Sequence, residues 1–171
     1  MAELRKNAFI FKGPVDLEGP QLKAGDRAPN DFTLTANDLS PVPASQLAGK
    51  PRIVITVPSL DTSVCDLETR RFNEEAAKLS GLSVWAVSMD LPFAQKRWCG
   101  AAGIKNVRTV SDYKSRSFGP AFGVWIPAVG LLSRAVFVID GKDTVRHVEY
   151  VKEVGLEPDY KAALDAAKAM L

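Results

Sequence analysis

Short β-branched runs alternate along the chain with stretches whose apolar residues recur at helical spacing. The clearest strand is Arg52 to Val57, where Ile53, Val54, Ile55, Thr56 and Val57 are nearly all β-branched and Pro58 stops the run. From Ser63 the pattern turns helical for about four turns, to near Leu79 ahead of Gly81. Cys65, Phe72, Ala76 and Leu79 then share one face, the face that packs against the protein body. Upstream, Ala8 to Phe11 and Val15 to Leu17 flank Lys12-Gly13-Pro14 and predict a β-hairpin. Gly19 to Pro29 reads as loop, Phe32 to Thr35 as a strand, and Asp38 to Gly49 mostly as turn and loop. Downstream, Leu82 to Met89 is a strand. Pro92 fits the first position of a helix running to about Ala102, with Asp90 nearby as a cap. Val107 to Val110 is a short strand, after which Ser111 or Asp112 caps a helix of about two turns that ends near Gly119 or Gly123. Ala135 to Ile139 is a strong strand, Asp140-Gly141-Lys142-Asp143 a hairpin turn, and Val145 to Val151 the return. Pro158 opens a last helix with Tyr160, Ala163, Leu164, Ala167 and Leu171 on its apolar face.

The order strand, helix, strand, helix, strand, helix, hairpin, helix predicts an α/β fold. A βαβ start favours parallel pairing, and the closing hairpin is antiparallel. The sheet is therefore expected to be mixed, with helices on both faces and an N-terminal β-hairpin added. At 171 residues the chain is expected to form one domain, 1–171, with a substantial core.

Composition narrows the function. The 46% apolar and 25% charged fractions are those of an ordinary globular protein. A formal net charge of +2 gives no field for a nucleic acid or an anionic membrane, and no apolar run approaches a membrane span. The first residues carry no uninterrupted apolar stretch of a secretory signal, which points to a cytoplasmic protein. Two cysteines are too few for a disulfide scaffold of this length, and in a reducing compartment such a pair is redox-active, catalytic or incidental. With one histidine, His147, and no Cys-x-x-Cys, a four-ligand metal set is unconvincing.

Cys65 carries the candidate chemistry. Asp61, Thr62 and Ser63 are all good N-cap residues, so Cys65 should lie in the first turn of its helix. Free backbone N–H groups and the positive end of the helix dipole favour a thiolate there. Thr62, three residues earlier, is placed to hydrogen-bond both that thiolate and an incoming oxygen, and Pro58 to wall the pocket and limit water. A buried cysteine used only as a small hydrophobe is the competing reading. Phe93, Phe118, Phe122 and Trp125 read as core, and His147 as structural or exposed.

Pro58-x-x-x-Thr62-x-x-Cys65 resembles the active-site motif of the peroxiredoxins. The surrounding segments resemble one subgroup, the bacterial thiol peroxidases, which are atypical 2-Cys peroxiredoxins. These segments are Ser59-x-Asp61-Thr62-x-Val64-Cys65, Asp90-Leu91-Pro92-Phe93-Ala94-Gln95 leading to Cys99-Gly100, Arg134-Ala135-Val136, and Glu157-Pro158-Asp159-Tyr160. The resemblance implies a thioredoxin-like fold, with Cys65 as the peroxidatic cysteine, Cys99 as the resolving one, and Arg134 as the cation at the thiolate. It further implies reduction of hydrogen peroxide and organic hydroperoxides, an intrachain Cys65–Cys99 disulfide, thioredoxin as reductant, a homodimer, and no cofactor. Disulfide formation requires Cα atoms within about 7 Å, so local unwinding around Cys65, around Trp98-Cys99, or around both is expected during turnover. The alternative is a peroxide-sensing module that forms the same disulfide with little turnover.

Overall fold

The computed structural model describes residues 3–171. Its centre is a mixed sheet of seven strands. Three of them, β5 (Arg52–Thr56), β6 (Ser83–Ser88) and β7 (Val107–Ser111), pair in parallel. On one side β10 (Ala135–Ile139) runs antiparallel to β5, and β11 (Val145–Tyr150) antiparallel to β10. On the other, β3 (Thr33–Thr35) and β4 (Pro41–Pro43) continue the sheet antiparallel from β7. A second, four-stranded antiparallel sheet has the order β1 (Leu4–Ile10), β2 (Pro14–Glu18), β8 (Trp125–Ile126) and β9 (Leu131–Leu132).

The β-branched runs are continuous because both faces of the large sheet are covered. With side chains alternating along a strand, β5 and β10 divide their residues between two cores. Ile53, Ile55, Val136 and Val138 meet Phe72 of α2 (Ser63–Ala76) and Tyr160, Ala163, Leu164 and Ala167 of α5 (Tyr160–Ala169). Val54, Ala135, Phe137 and Ile139 face the other way, toward Leu47 of α1 (Ala44–Leu47) and Phe118 and Phe122 of α4 (Phe118–Phe122). Truncating a fully buried phenylalanine such as Phe72 to alanine costs about 3–5 kcal/mol.

Several expected elements shift. The 38–49 segment is more ordered than loop: it supplies β4 and α1. Pro41 and Pro43 are tolerated because β4 is the sheet edge. The α2 helix stops at Ala76 rather than near Leu79. The helix expected from Ser111 or Asp112 begins only at Phe118. Asp112 does serve that helix, but across the intervening loop: its carboxylate accepts from the backbone N–H groups of Ser117, Phe118 and Gly119. The helix ends at Gly123, whose φ of +69° is left-handed. A Cβ there would also collide with the Pro20 carbonyl.

Phe93 is corrected as well. It was expected in the core and is 66% exposed. In α3 (Pro92–Ala102) the inward positions go to Pro92 and Gln95, and the turn of about 100° per residue carries Phe93 outward. Phe118 and Phe122 are buried and Trp125 is half-buried, while His147 lies half-buried on β11. Among the described residues no helix is long and apolar enough to cross a membrane.

Candidate active site

The site lies where β5 ends and α2 begins. After the strand, Pro58 to Thr62 form a tight connection held from β6: Asp90 accepts from Ser59 Oγ at 2.6 Å, from Leu60 N at 2.9 Å and from Ser88 Oγ at 2.7 Å. Asp90 was expected to cap α3. Leu91 holds that N-cap position instead, without a side-chain cap, because the Asp90 carboxylate is committed to the loop beneath Cys65. Nothing local along the chain signals this tie, since Ser59 and Asp90 are brought together by the parallel pairing of β5 with β6.

Thr62 is the N-cap of α2, so Cys65 is the third residue of the helix, in the first turn as expected. The Thr62 hydroxyl, however, neither caps the helix nor hydrogen-bonds Cys65 here. It donates to the Ser59 carbonyl at 2.9 Å. Cys65 is fully buried and packs with Val57, Leu60 and the half-buried Trp98, and Pro58 beside them is buried too. The helix is fastened around it by Thr69 Oγ1, which donates to the Cys65 carbonyl at 2.8 Å.

Arg134 reaches this thiol from the other side of the sheet order. It immediately precedes β10, which pairs with β5. Its Nη2 donates to Cys65 Sγ at 3.3 Å and to the Val154 carbonyl at 2.7 Å, and its Nη1 to Glu68 Oε2 at 2.6 Å. The side chains of Arg134 and Glu68 are both inaccessible to solvent. Burial works against the arginine's charge, but Glu68 and Cys65 outweigh it and raise its ionisation above the ordinary arginine range. Burial pushes the Glu68 carboxyl up to about 7, with Arg134 pulling it down and Glu149 and Glu157 adding to the rise. Glu68 Oε1 and Arg134 Nε are buried without a hydrogen-bond partner among the described residues. Glu68 did not figure among the sequence candidates. Its signal was local, three residues after Cys65 on the same helical face.

Cys99 lies on α3, and both thiols are free. The two sulfurs have different partners. Cys99 Sγ sits 3.2 Å from Thr109 Oγ1 on β7, which in turn donates to Asn37 Oδ1 at 3.2 Å. Trp98, next to Cys99 in the chain, packs against the Cys65 cluster, and its indole N–H donates to Asp66 of α2 at 2.7 Å. Arg70 pairs with the same carboxylate at 2.9 Å and lies over the Trp98 ring, so the start of α2 and the end of α3 are clasped together. Of the predicted residues, Cys65, Arg134, Pro58 and Thr62 thus gather at one place, and Cys99 lies apart. Among the described residues no cluster of His, Cys, Asp or Glu could hold a metal ion.

A single-cysteine helix turn, backed by a buried arginine and hung on a thioredoxin-like sheet, defines a thiol-based redox protein. Residues 23–164 match the redoxin family. Relatives narrow this further. The chain is 56% identical over 165 residues to a thiol peroxidase of Halalkalibacterium halodurans, covering 96% of this chain and 99% of that one. It is 51% identical over 164 residues to a thiol peroxidase of Bacillus subtilis, covering 95% and 98%. A crystal structure of a peroxiredoxin-like protein from Aquifex aeolicus superposes with a TM-score of 0.87 at 40% identity, covering 98% of this chain and 99% of that one. The chain therefore belongs to the redoxin family, within its thiol peroxidases, and is a peroxidase of the peroxiredoxin type.

Proposed function

We propose that this chain, working as one domain, reduces hydrogen peroxide and organic hydroperoxides through a Cys65 sulfenic acid and an intrachain Cys65–Cys99 disulfide, recycled by thioredoxin. The observation that carries the reading is the donation from Arg134 Nη2 to the buried Cys65 sulfur in the first turn of α2. The Cys65 thiolate attacks one peroxide oxygen, the O–O bond breaks, and the leaving oxygen departs as water or alcohol after taking a proton. Arg134 donates to the thiolate and to the oxygen that gains charge, in a site where no solvent has to reorganise. Thr62 turns its hydroxyl from the Ser59 carbonyl to the bound peroxide, and buried Pro58 helps keep water out. Neither step calls on a metal or an organic cofactor.

Resolution follows a change of shape. Cys99 and Cys65 have separate partners while reduced, so α3, the first turn of α2, or both must open for the sulfurs to meet. A disulfide closed at the expense of native packing is the more readily reduced by an external dithiol. The protein acts in the cytoplasm, as a homodimer.

The test is peroxide consumption coupled to thioredoxin and its reductase for wild type, Cys65→Ser and Cys99→Ser. Turnover is expected to vanish in both variants, with Cys99→Ser still consuming one equivalent. Undiminished turnover in Cys65→Ser would overturn the reading. A single oxidation of the wild type without turnover would point instead to a peroxide sensor.

A further inference from the structure

The hydrogen bonds of Cys99 have a direction that proton counting settles. Thr109 has one hydroxyl proton, and it goes to Asn37 Oδ1. At the Cys99 contact Thr109 Oγ1 is then left as the acceptor, so Cys99 must supply its S–H proton. The arrangement therefore suits a thiol. Ionising Cys99 in place would require Thr109 to turn its proton from Asn37 to sulfur. Burial pushes the Cys99 thiol up from the ordinary range, against the opposing pull that Thr109 and Asn37 exert when they turn donors toward the sulfur. Thr109 is itself buried, on the inner side of β7, and is held in the sheet by the pairing with β6, so it is a fixed anchor rather than a mobile surface group.

The place also matters. Cys99 lines an open pocket of about 340 Å³ with Asn37, Asp38 and Ser40 of the β3–β4 loop, Ile104, and Arg108 and Thr109 of β7, and with none of the residues packed around Cys65. Two separate sets of contacts hold α3 near its C-terminal end: Trp98 to Asp66 on the Cys65 side, and Cys99 to Thr109 on the pocket side.

We propose that Thr109 and Asn37 form a latch on Cys99 that holds the reduced thiol in the folded position and sets the rate at which it is released to meet oxidised Cys65. The inference rests on the reading of Cys99 as the resolving cysteine. In the step concerned, the Cys99 sulfur attacks the sulfenic sulfur of Cys65. The S–S bond forms as the S–O bond breaks. Cys99 sulfur is oxidised, Cys65 sulfur is reduced, and the hydroxide leaves as water with the thiol proton of Cys99. Any delay in that step leaves the sulfenic acid exposed to a second peroxide and to sulfinic acid formation. Thr109 and Asn37 are positioning residues, which place the peroxidase on a scale between fast resolution and sensitivity to excess peroxide.

The experiment is rapid-mixing fluorescence of the reduced protein with hydrogen peroxide, which separates sulfenate formation from disulfide formation, followed by mass spectrometry for sulfinic acid. Wild type, Thr109→Val, Thr109→Ser, Asn37→Ala and Cys99→Ser are compared. Thr109→Val keeps the shape and removes the hydrogen bond to Cys99; Asn37→Ala leaves that bond in place but frees the Thr109 proton to reverse it. Thr109→Val should speed the second phase about threefold to tenfold, the span of one weak hydrogen bond, and lower the sulfinic fraction at a given peroxide dose, whereas Asn37→Ala should not speed it. Thr109→Ser, which retains the hydroxyl, should behave as wild type. An unchanged or slower second phase in Thr109→Val, or a second phase in Asn37→Ala as fast as in Thr109→Val, with Cys99→Ser forming no disulfide, would overturn the latch alone. A second phase that persists in Cys99→Ser would overturn both the latch and the resolving role.

Discussion

Arg134 and Glu68 form an ion pair at 2.6 Å with both side chains shut off from solvent, and the same guanidinium touches the Cys65 sulfur at 3.3 Å. One buried cation is thus shared between a carboxylate and the reactive thiol. Removing either partner has consequences that can be separated.

Arg134→Met should lower the rate of sulfenate formation about 100- to 1000-fold, the scale of losing a preorganised donor to developing charge. It should also destabilise the protein by about 1–3 kcal/mol, because Glu68, raised by burial even beside the arginine, would lose its hydrogen-bond partner and stay buried as the neutral acid. Single-turnover peroxide kinetics and denaturant unfolding check the two effects. The double variant Arg134→Met/Glu68→Gln should recover most of the stability and none of the rate.

Glu68→Gln should change the pH dependence of stability. Burial raises the Glu68 carboxyl in the folded state to about 7, from the ordinary carboxylate range. A group raised in this way contributes stability that is fully present below its unfolded ionisation and is lost as pH rises through about 7. Wild type should therefore lose stability relative to Glu68→Gln as pH rises from roughly 4.5 to about 7 and level off above that. Urea midpoints of the two proteins at pH 5 and pH 8 provide the measurement, and parallel pH profiles would contradict it.

Asp90→Ala should loosen the loop that carries Ser59 and Leu60. It removes the acceptor for Ser59 Oγ, Leu60 N and Ser88 Oγ together. A loss of about 1–3 kcal/mol is expected, with faster amide exchange confined to the Pro58–Thr62 connection. Equal exchange in that segment before and after substitution would show that the carboxylate is not what holds it.

Trp98→Phe should remove most of the fluorescence change on oxidation by one equivalent of peroxide. Trp85 is buried in the sheet core and Trp125 packs under α4, whereas Trp98 joins the Asp66 carboxylate to the Cys65 cluster. Phenylalanine retains the packing but not the N–H donation, so a stability loss of about 1–2 kcal/mol is expected with it. A full-sized signal in Trp98→Phe would place the moving tryptophan elsewhere.

The strands were legible where both faces of the sheet are buried, because β5 and β10 then consist of little but β-branched and aromatic residues. They were less legible at 38–49 and 125–132, where two- and three-residue strands leave too few positions for a period to register. The start of α4 was missed because its N-terminal N–H groups are satisfied by Asp112 from across a loop, a geometry that local cap rules do not read.

Sequence alone determined the chemistry that is local along the chain: a cysteine in the first turn of a helix, with Thr62 three residues before it and Pro58 at the end of the strand. These depend on helix phase and strand termination, which neighbouring residues dictate. Tertiary structure alone decided the pairings over long separations. Antiparallel pairing of β10 with β5 carries Arg134 to Cys65, parallel pairing of β5 with β6 carries Asp90 to the loop, and the packing of α3 on β7 gives Cys99 to Thr109. Thr62 shows the limit of local reasoning: its position was right, but its hydroxyl chose the Ser59 carbonyl, a partner that only the folded turn brings within reach.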